Sequence, residues 1–553
     1  MDKSQTLKKR LIELHKNNWQ FPDDVDADSL AEEMVEALKS VDSDLRWRLA
    51  CAGLYELINS GRISDKKCHS LFLSLINENL LHGLGREDDD SLVARTWSVL
   101  AVPDFFEYNN KMNRRILSDN ELRDAFNTAL KCLNEEKDLR YYVEDKGIGH
   151  AICHYTEAFP ILMADSSIGK DEIMALLDAV KGRICINYQS YFTYEYVTFA
   201  DTIIGVLKKE VLSEAEFTDW VESFLTQEKT GDVHKDKLLW ENQSKFFWCM
   251  EARLKTDYPH LHVYVWDAIF SLMDKSQSLN VKLFELARGD WAFPDSIDAA
   301  AIADEMKEVA TSADYELRDM LALSGFKKLI SSGRLSDKKC HDLLSELISE
   351  KHLFQGLGKV HDNSVNNRAW SVRAIGEIIS YNQRVNRRLL NDDTIRHIFG
   401  LVLKCVKEER DLRPLGDCKG YKTTAYSCHI ETIGKLMEDR AIGYDEIMAA
   451  LTAFKGRICT DYHTCFQCFS LPAAEVIPIV LEKGIINEKE LLDWIAAFFT
   501  LEKTGDPLKG NWQYQAQSQF LWLALWFTQG KFEDKYPNFN SYVRDGALGM
   551  MEA

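Results

Sequence analysis

Residues 42–78 read DSDLRWRLACAGLYELINSGRISDKKCHSLFLSLINE, and this stretch contains the pattern that decides the fold. Its second half places apolar residues at the spacing of one helical face, at Cys68, Leu71, Phe72, Leu75 and Ile76. Gly61 is a typical helix stop, and Ser64 can cap the next helix. The stretch therefore predicts two helices joined by a tight turn.

The rest of the chain follows the same pattern. Ser118–Glu121 and Ser213–Glu216 have the spacing of capping boxes, and Asn487–Glu490 is a looser version. Residues 193–204 (TYEYVTFADTII) have strong β propensity, but we predict a helix there because alternating strand patterns are absent elsewhere. Helix pairs in long succession predict an all-α fold, a HEAT/armadillo-like α-solenoid or α/α superhelix.

The sequence is an internal tandem repeat. MDKSQTLKKRLIELHKNNWQFPDD at residues 1–24 returns as MDKSQSLNVKLFELARGDWAFPDS at residues 273–296. The repeat predicts two homologous lobes, a first helical-repeat copy at residues 1–272 and a second at residues 273–553. A chain of 553 residues exceeds one ordinary core, which agrees with this division.

Composition narrows the function classes. A net charge of −20 repels phosphate backbones and argues against nucleic-acid binding, and no apolar run is long enough to span a membrane. The N-terminal residues pass directly into a charged helix without an apolar leader. Together with 13 cysteines, an odd number, this predicts a cytoplasmic protein with free thiols.

Several polar motifs occur in both copies. DSLVARTWSV (90–99) matches NSVNNRAWSV (363–372), and EEKDLR (135–140) matches EERDLR (408–413). A Lys-Gly pair follows each of the latter, and KGRIC occurs in both copies. We predict that the shared residues bind a ligand or partner, namely Arg95, Trp97, Arg140, Lys146, Arg368, Trp370, Arg413 and Lys419. The alternative is that they form salt bridges and caps between helices.

The residues also resemble a family. DSDLRWRLACAGLYELINSGRISDKK, HGLGREDDDSLVARTWSV and EEKDLRYYVEDKGIGHAICHYTE follow one another in the order of the bacterial domain-of-unknown-function family 2785. The resemblance covers about residues 42–165 and 314–439. It implies a helical, HEAT-like, cytosolic bacterial protein, and it supplies no catalytic residue.

Two clusters have the residue types of metal ligands. His150, His154 and Glu157 are spaced to share one helix face, as ligands of Zn²⁺ or Fe²⁺ would be, but Thr424 replaces His150 in the second copy. The alternative is a pair of histidines at a helix interface. The second cluster occurs in the second copy only, and buried free thiols are its alternative explanation: Cys459, His463, Cys465 and Cys468.

Three functions are compatible with these observations. The first is a non-enzymatic scaffold that binds a protein, peptide or small ligand on concave faces, with no cofactor. In that case, replacing Arg95 and Arg368 with alanine would weaken binding and change stability by less than about 1 kcal/mol. The second is a metal-dependent enzyme that uses His150, His154 and Glu157. The third is an immunity or stress accessory protein that sequesters a basic partner. The sequence fixes neither the partner nor the oligomeric state.

Overall fold

The computed structural model describes residues 3–552, apart from 112–114, 144–145, 192, 228, 274, 277, 386–387, 414–423, 461–465, 501–506 and 533. For 193, 460, 466–469 and 507–512 it describes the helical backbone. The described chain forms two compact units, one ending at Leu272 and the other beginning at Met273. The division falls where the sequence repeat begins again.

The first unit consists of helix pairs. Its α-helices are α1 (Lys3–Lys16), α2 (Ala27–Ala37), α3 (Ala52–Asn59), α4 (Asp65–Ser74), α5 (Ser91–Lys111), α6 (Asp119–Glu135), α7 (Ala151–Leu162), α8 (Lys170–Ile184), α9 (Thr193–Lys208), α10 (Glu214–Glu222), α11 (Val233–Asp257) and α12 (Pro259–Leu272). One layer runs α5, α7, α9, α11, each packed on the next, while α6 packs on α8 and α10 on α12.

The second unit repeats the arrangement. Its α-helices are α13 (Ser278–Arg288), α14 (Ala299–Glu308), α15 (Ser324–Ser331), α16 (Asp337–Leu347), α17 (Val365–Arg384), α18 (Asp392–Glu408), α19 (Ala425–Met437), α20 (Tyr444–Thr460), α21 (Phe466–Lys483), α22 (Glu488–Ala496), α23 (Pro507–Thr528) and α24 (Phe539–Glu552). Helices α17, α19, α21 and α23 pack in succession, as their counterparts do. The predicted all-α repeat fold is confirmed.

The predicted start and stop signals are in place. Gly61 has a φ of +68°, a left-handed conformation that glycine adopts without strain, and the Ser64 hydroxyl accepts from the Lys67 N–H. Gly333 and Ser336 do the same in the second unit. The three predicted capping boxes, which begin α6, α10 and α22, are formed. The β-prone residues 193–204 are helical, within α9.

Three kinds of element were not expected from the sequence. π-helices precede α3 and α15, at Asp44–Cys51 and Glu316–Leu323, and a shorter one, Leu75–Asn79, follows α4. Short 3-10 turns occur at Val309–Thr311 and Ala497–Phe499. A two-stranded antiparallel hairpin, β1 (Tyr142–Val143) and β2 (Gly147–Ile148), precedes α7. Its strands are too short to produce an alternating pattern.

Two further properties concern the chain as a whole. Within the described residues, no helix combines the length and hydrophobicity needed to cross a bilayer. The ten cysteines whose side chains are described are free thiols.

Candidate functional site

A buried arginine–glutamate pair joins α5 to the end of α6. Arg95 Nε and Nη2 each donate to a Glu136 carboxylate oxygen at 2.9 Å, and neither side chain is exposed. Arg95 Nη1 also donates to the His82 carbonyl and the Ser91 hydroxyl. Arg368 and Glu409 form the same pair at 2.8 Å in the second unit. The two shared motifs therefore meet each other, 41 residues apart in sequence.

The glutamate of each pair accepts further hydrogen bonds from other helices. Tyr155 donates its hydroxyl to Glu136 at 2.9 Å, and Arg183 of the KGRIC motif donates to the Glu136 carbonyl. In the second unit Arg457 takes the position of Arg183. Burial alone would raise the pKa of Glu409, but hydrogen bonds from His429 and Arg368 outweigh it and lower the pKa to about 2.

The tryptophans of these motifs are also enclosed. Trp97 is 3% exposed and donates its indole N–H to the Ile148 carbonyl, while Trp370 is 1% exposed and donates to the Arg318 carbonyl. A ligand does not reach these rings, or Arg95 and Arg368, in this conformation. The contacts are those of helix-to-helix connections, and the ligand-binding role predicted for these four residues stays a prediction.

The other predicted binding residues lie nearer the surface. Arg140 forms a bidentate ion pair with Asp138, and Arg413 forms the same pair with Asp411. Lys146 contacts Asp90 at 2.5 Å. Lys419 lies outside the described residues. Each described cation is therefore matched by an acidic neighbour, and the binding role predicted for them remains untested.

His150 occupies an unusual position at the start of α7. Its φ of +54° lies in the left-handed region, which costs a non-glycine residue about 1 kcal/mol or more. Its backbone N–H donates to the Arg140 carbonyl beside the hairpin. Its Nε2 lies 3.0 Å from Glu195 Oε1 on α9, and both side chains are buried. The ring is flanked by Tyr141, with centroids 4.8 Å apart.

His154 follows one turn later, with its ring centroid 6.0 Å from that of His150 and 5.0 Å from that of Trp97. Burial lowers the pKa of His154 to about 3, electrostatic interactions with the neighbouring His150 and Arg46 act in the same direction, and a backbone hydrogen bond with Thr96 opposes them. The imidazole is therefore neutral at physiological pH and can accept one hydrogen bond.

Three buried polar atoms in this region have no hydrogen-bond partner in the described part of the chain, namely His154 Nδ1, Glu195 Oε2 and Arg46 Nε. A fourth, His150 Nε2, has only its 3.0 Å contact with Glu195 Oε1, which does not meet hydrogen-bond geometry. Arg46 lies on the first π-helix with its guanidinium 5.6 Å from the Trp97 ring, and burial lowers its pKa to about 10. Unpartnered buried groups cost about 1–3 kcal/mol each unless another molecule satisfies them. We call His150, His154 and Glu195 the histidine–glutamate cluster.

His150, His154 and Glu157 do not form a metal centre in this structure. Among the described residues, no three His, Cys, Asp or Glu side chains are placed to hold an ion, and this includes His150, His154 and Glu157. Burial raises the pKa of Glu157. His463 and Cys465 of the second predicted cluster lie outside the described residues, as does the side chain of Cys468.

Sequence analysis found both histidines of the cluster and missed Glu195. That glutamate lies on a different helix, within a stretch noted only for its β propensity. The second unit has lost the cluster, because Thr424, Cys428 and Phe469 stand where the first has His150, His154 and Glu195. Comparison of the two copies at residue 195 could have given the signal.

These features define a two-unit, all-α repeat protein whose first unit contains the histidine–glutamate cluster. The chain belongs to the family DUF2785, described as a protein of unknown function, whose model matches residues 80–250 and 353–525. The predicted family resemblance is thus confirmed. The cluster lies within the first match.

One matching solved structure is a circular tandem repeat protein with novel repeat topology and enhanced subunit contact surfaces. The two sequences are 10% identical, and the match covers 99% of this chain and 98% of the other chain with a TM-score of 0.15. A similarity this low supports no inference about fold or function. No curated protein matches the chain.

Proposed function

We propose that the protein is a non-enzymatic α-helical binding scaffold, and that its first unit holds a small polar ligand at the histidine–glutamate cluster. The observation that supports this proposal is the set of unpartnered buried atoms around His154 and Glu195. The second unit forms the same helices although its sequence has none of the cluster's side chains at the equivalent positions. Stability of the fold therefore does not require them.

The side chains indicate the chemistry of the ligand. His154 Nδ1 is an acceptor, because the imidazole is neutral and its other nitrogen donates to the Thr96 backbone, and Glu195 Oε2 offers its lone pairs as a second acceptor. A ligand with N–H or O–H donors satisfies them. The nearby Arg46 guanidinium disfavours a second cation, so we expect a neutral molecule. The Tyr141 ring, which flanks His150, favours one with a planar group, such as an amide or a heterocycle.

One observation favours a second function. The 3.0 Å approach of Glu195 to His150 resembles the way a carboxylate orients a histidine general base. Acid–base chemistry on the bound ligand would need no metal. The metal-dependent enzyme considered above needs a ligand set that His150, His154 and Glu157 do not provide in this structure. We therefore rank binding first.

The decisive variant is suggested by the second unit. Replacing His150 with threonine and His154 with cysteine introduces the residues of that unit, where the same helices accommodate them. We expect native mass spectrometry of untagged protein from its own host to show a small-molecule adduct on the wild type and none on the double variant. The double variant loses the ligand and the contact between His150 and the buried Glu195, so we expect it to melt below the ligand-bound wild type.

The matched control is Cys428→Ser at the equivalent position of the second unit, which should retain the adduct. A wild-type mass without an adduct would contradict the proposal. An adduct with the mass of one metal ion, lost in the double variant, would instead support the metal-dependent alternative.

A further inference from the structure

The first unit has an open groove between α10 and α12, with a volume of about 350 Å³. Val221, Leu225 and Ala268 form its apolar surface, and Leu225 is 37% exposed. Glu222 and Asp267 bring a carboxylate from each helix, and Thr226, Tyr264 and Ser271 complete the lining. The groove thus combines an exposed Leu225 and the buried Val221 and Ala268 with two acidic side chains.

In the second unit, an aromatic side chain occupies the position equivalent to this groove. The counterparts of Leu225, Tyr264 and Ala268 are Phe499, Tyr542 and Gly546. The Phe499 ring lies 5.4 Å from that of Tyr542, and a Cβ on Gly546 would lie 2.2 Å from the ring atoms. The phenyl ring thus packs directly against a glycine backbone. The second unit fills its own groove with an aromatic side chain.

The first unit has different residues at the positions where the phenyl ring of the second unit packs. Leucine replaces phenylalanine at 225, and the shorter side chain leaves the groove open. Glu222 stands where the second unit has Ala496, which adds a negative charge at the edge. An aromatic ring buries about 150–250 Å² when it enters such a groove. Both changes favour an external side chain that is aromatic and has basic neighbours.

We propose that the groove between α10 and α12 of the first unit binds an aromatic side chain presented by a basic segment of a partner protein. The net charge of −20 assists the encounter with a basic segment. This proposal is independent of the histidine–glutamate cluster, because the groove shares no residue with it.

Fluorescence anisotropy with a labelled synthetic peptide tests the proposal. The probe is Lys-Lys-Ser-Phe-Ser-Lys-Lys, and its twin has alanine in place of phenylalanine. The wild type should bind the probe saturably below about 1 mM and bind the alanine twin about tenfold more weakly. Leu225→Phe with Ala268→Gly recreates the filled groove of the second unit and should also weaken binding about tenfold.

Two further variants make the result decisive. Phe499→Leu with Gly546→Ala opens the second groove and should raise the stoichiometry from one peptide to two. Val233→Ala, at an 84% exposed position outside the groove, should change nothing. Equal affinity for the phenylalanine probe and its alanine twin would show that the groove does not bind the aromatic ring and that only charge attracts the peptide, which would contradict the proposal. Unchanged binding by Leu225→Phe/Ala268→Gly, or no saturable binding by the wild type, would overturn the proposal.

Discussion

Replacing Glu136 with alanine should lower the free energy of unfolding of the first unit by about 3–5 kcal/mol. The variant leaves the Arg95 guanidinium buried without its counter-ion and removes the acceptor of the Tyr155 hydroxyl. It also removes the acceptor of two backbone N–H groups, those of Lys137 and Asp138. Chemical denaturation combined with hydrogen exchange resolves the unfolding of each unit.

Two variants calibrate this measurement. Glu409→Ala should cost the second unit a similar amount, because its pair has the same geometry. Lys489→Ala breaks an exposed helical ion pair with Asp493 and should cost less than about 0.5 kcal/mol. A loss below about 1 kcal/mol for Glu136→Ala would show that Arg95 does not depend on this carboxylate. That outcome would favour the ligand-binding role predicted for Arg95.

The sequence exposed the shared motifs but could not decide their role. DSLVARTWSV and EEKDLR were found in both copies, and both a ligand face and helix-to-helix ion pairs remained open. What separates these alternatives is the pairing of Arg95 with Glu136, which depends on how α5 packs on α6. Local patterns specify helices and caps well, because those depend on neighbouring residues. They do not specify contacts between distant segments.

For the candidate site, too, the sequence predicted the local helix but not the contacts between distant segments. Helical spacing predicts His150 and His154 on one face of a helix, but only His154 lies within α7, and His150 precedes the first residue of that helix. The left-handed backbone of His150 and the approach of Glu195 arise from the hairpin and from α9, which the local pattern does not include. The groove between α10 and α12 was likewise not predicted, since its meaning emerges only when Leu225 and Phe499 are compared in their packed positions.

The stability of the first unit should decrease as the pH falls below about 6.5, the ordinary pKa of histidine. Burial holds the pKa of His154 near 3, so between these values the unfolded chain binds a proton that the folded chain does not. Well below pH 6.5 stability then falls by about 1.4 kcal/mol per pH unit from this group, and the loss between pH 7.5 and pH 5 is about 2 kcal/mol.

His154→Cys removes this contribution, and cysteine is the residue at the same position of the second unit. Denaturation at pH 7.5 and pH 5 should therefore give a smaller pH-dependent loss for this variant than for the wild type. His234→Ala, at an exposed position, should leave the loss unchanged. Equal losses in wild type and His154→Cys would mean that His154 takes up its proton without unfolding. Its Nδ1 would then be a donor in the folded protein at acid pH, and the ligand proposed for the cluster would have to accept a hydrogen bond there.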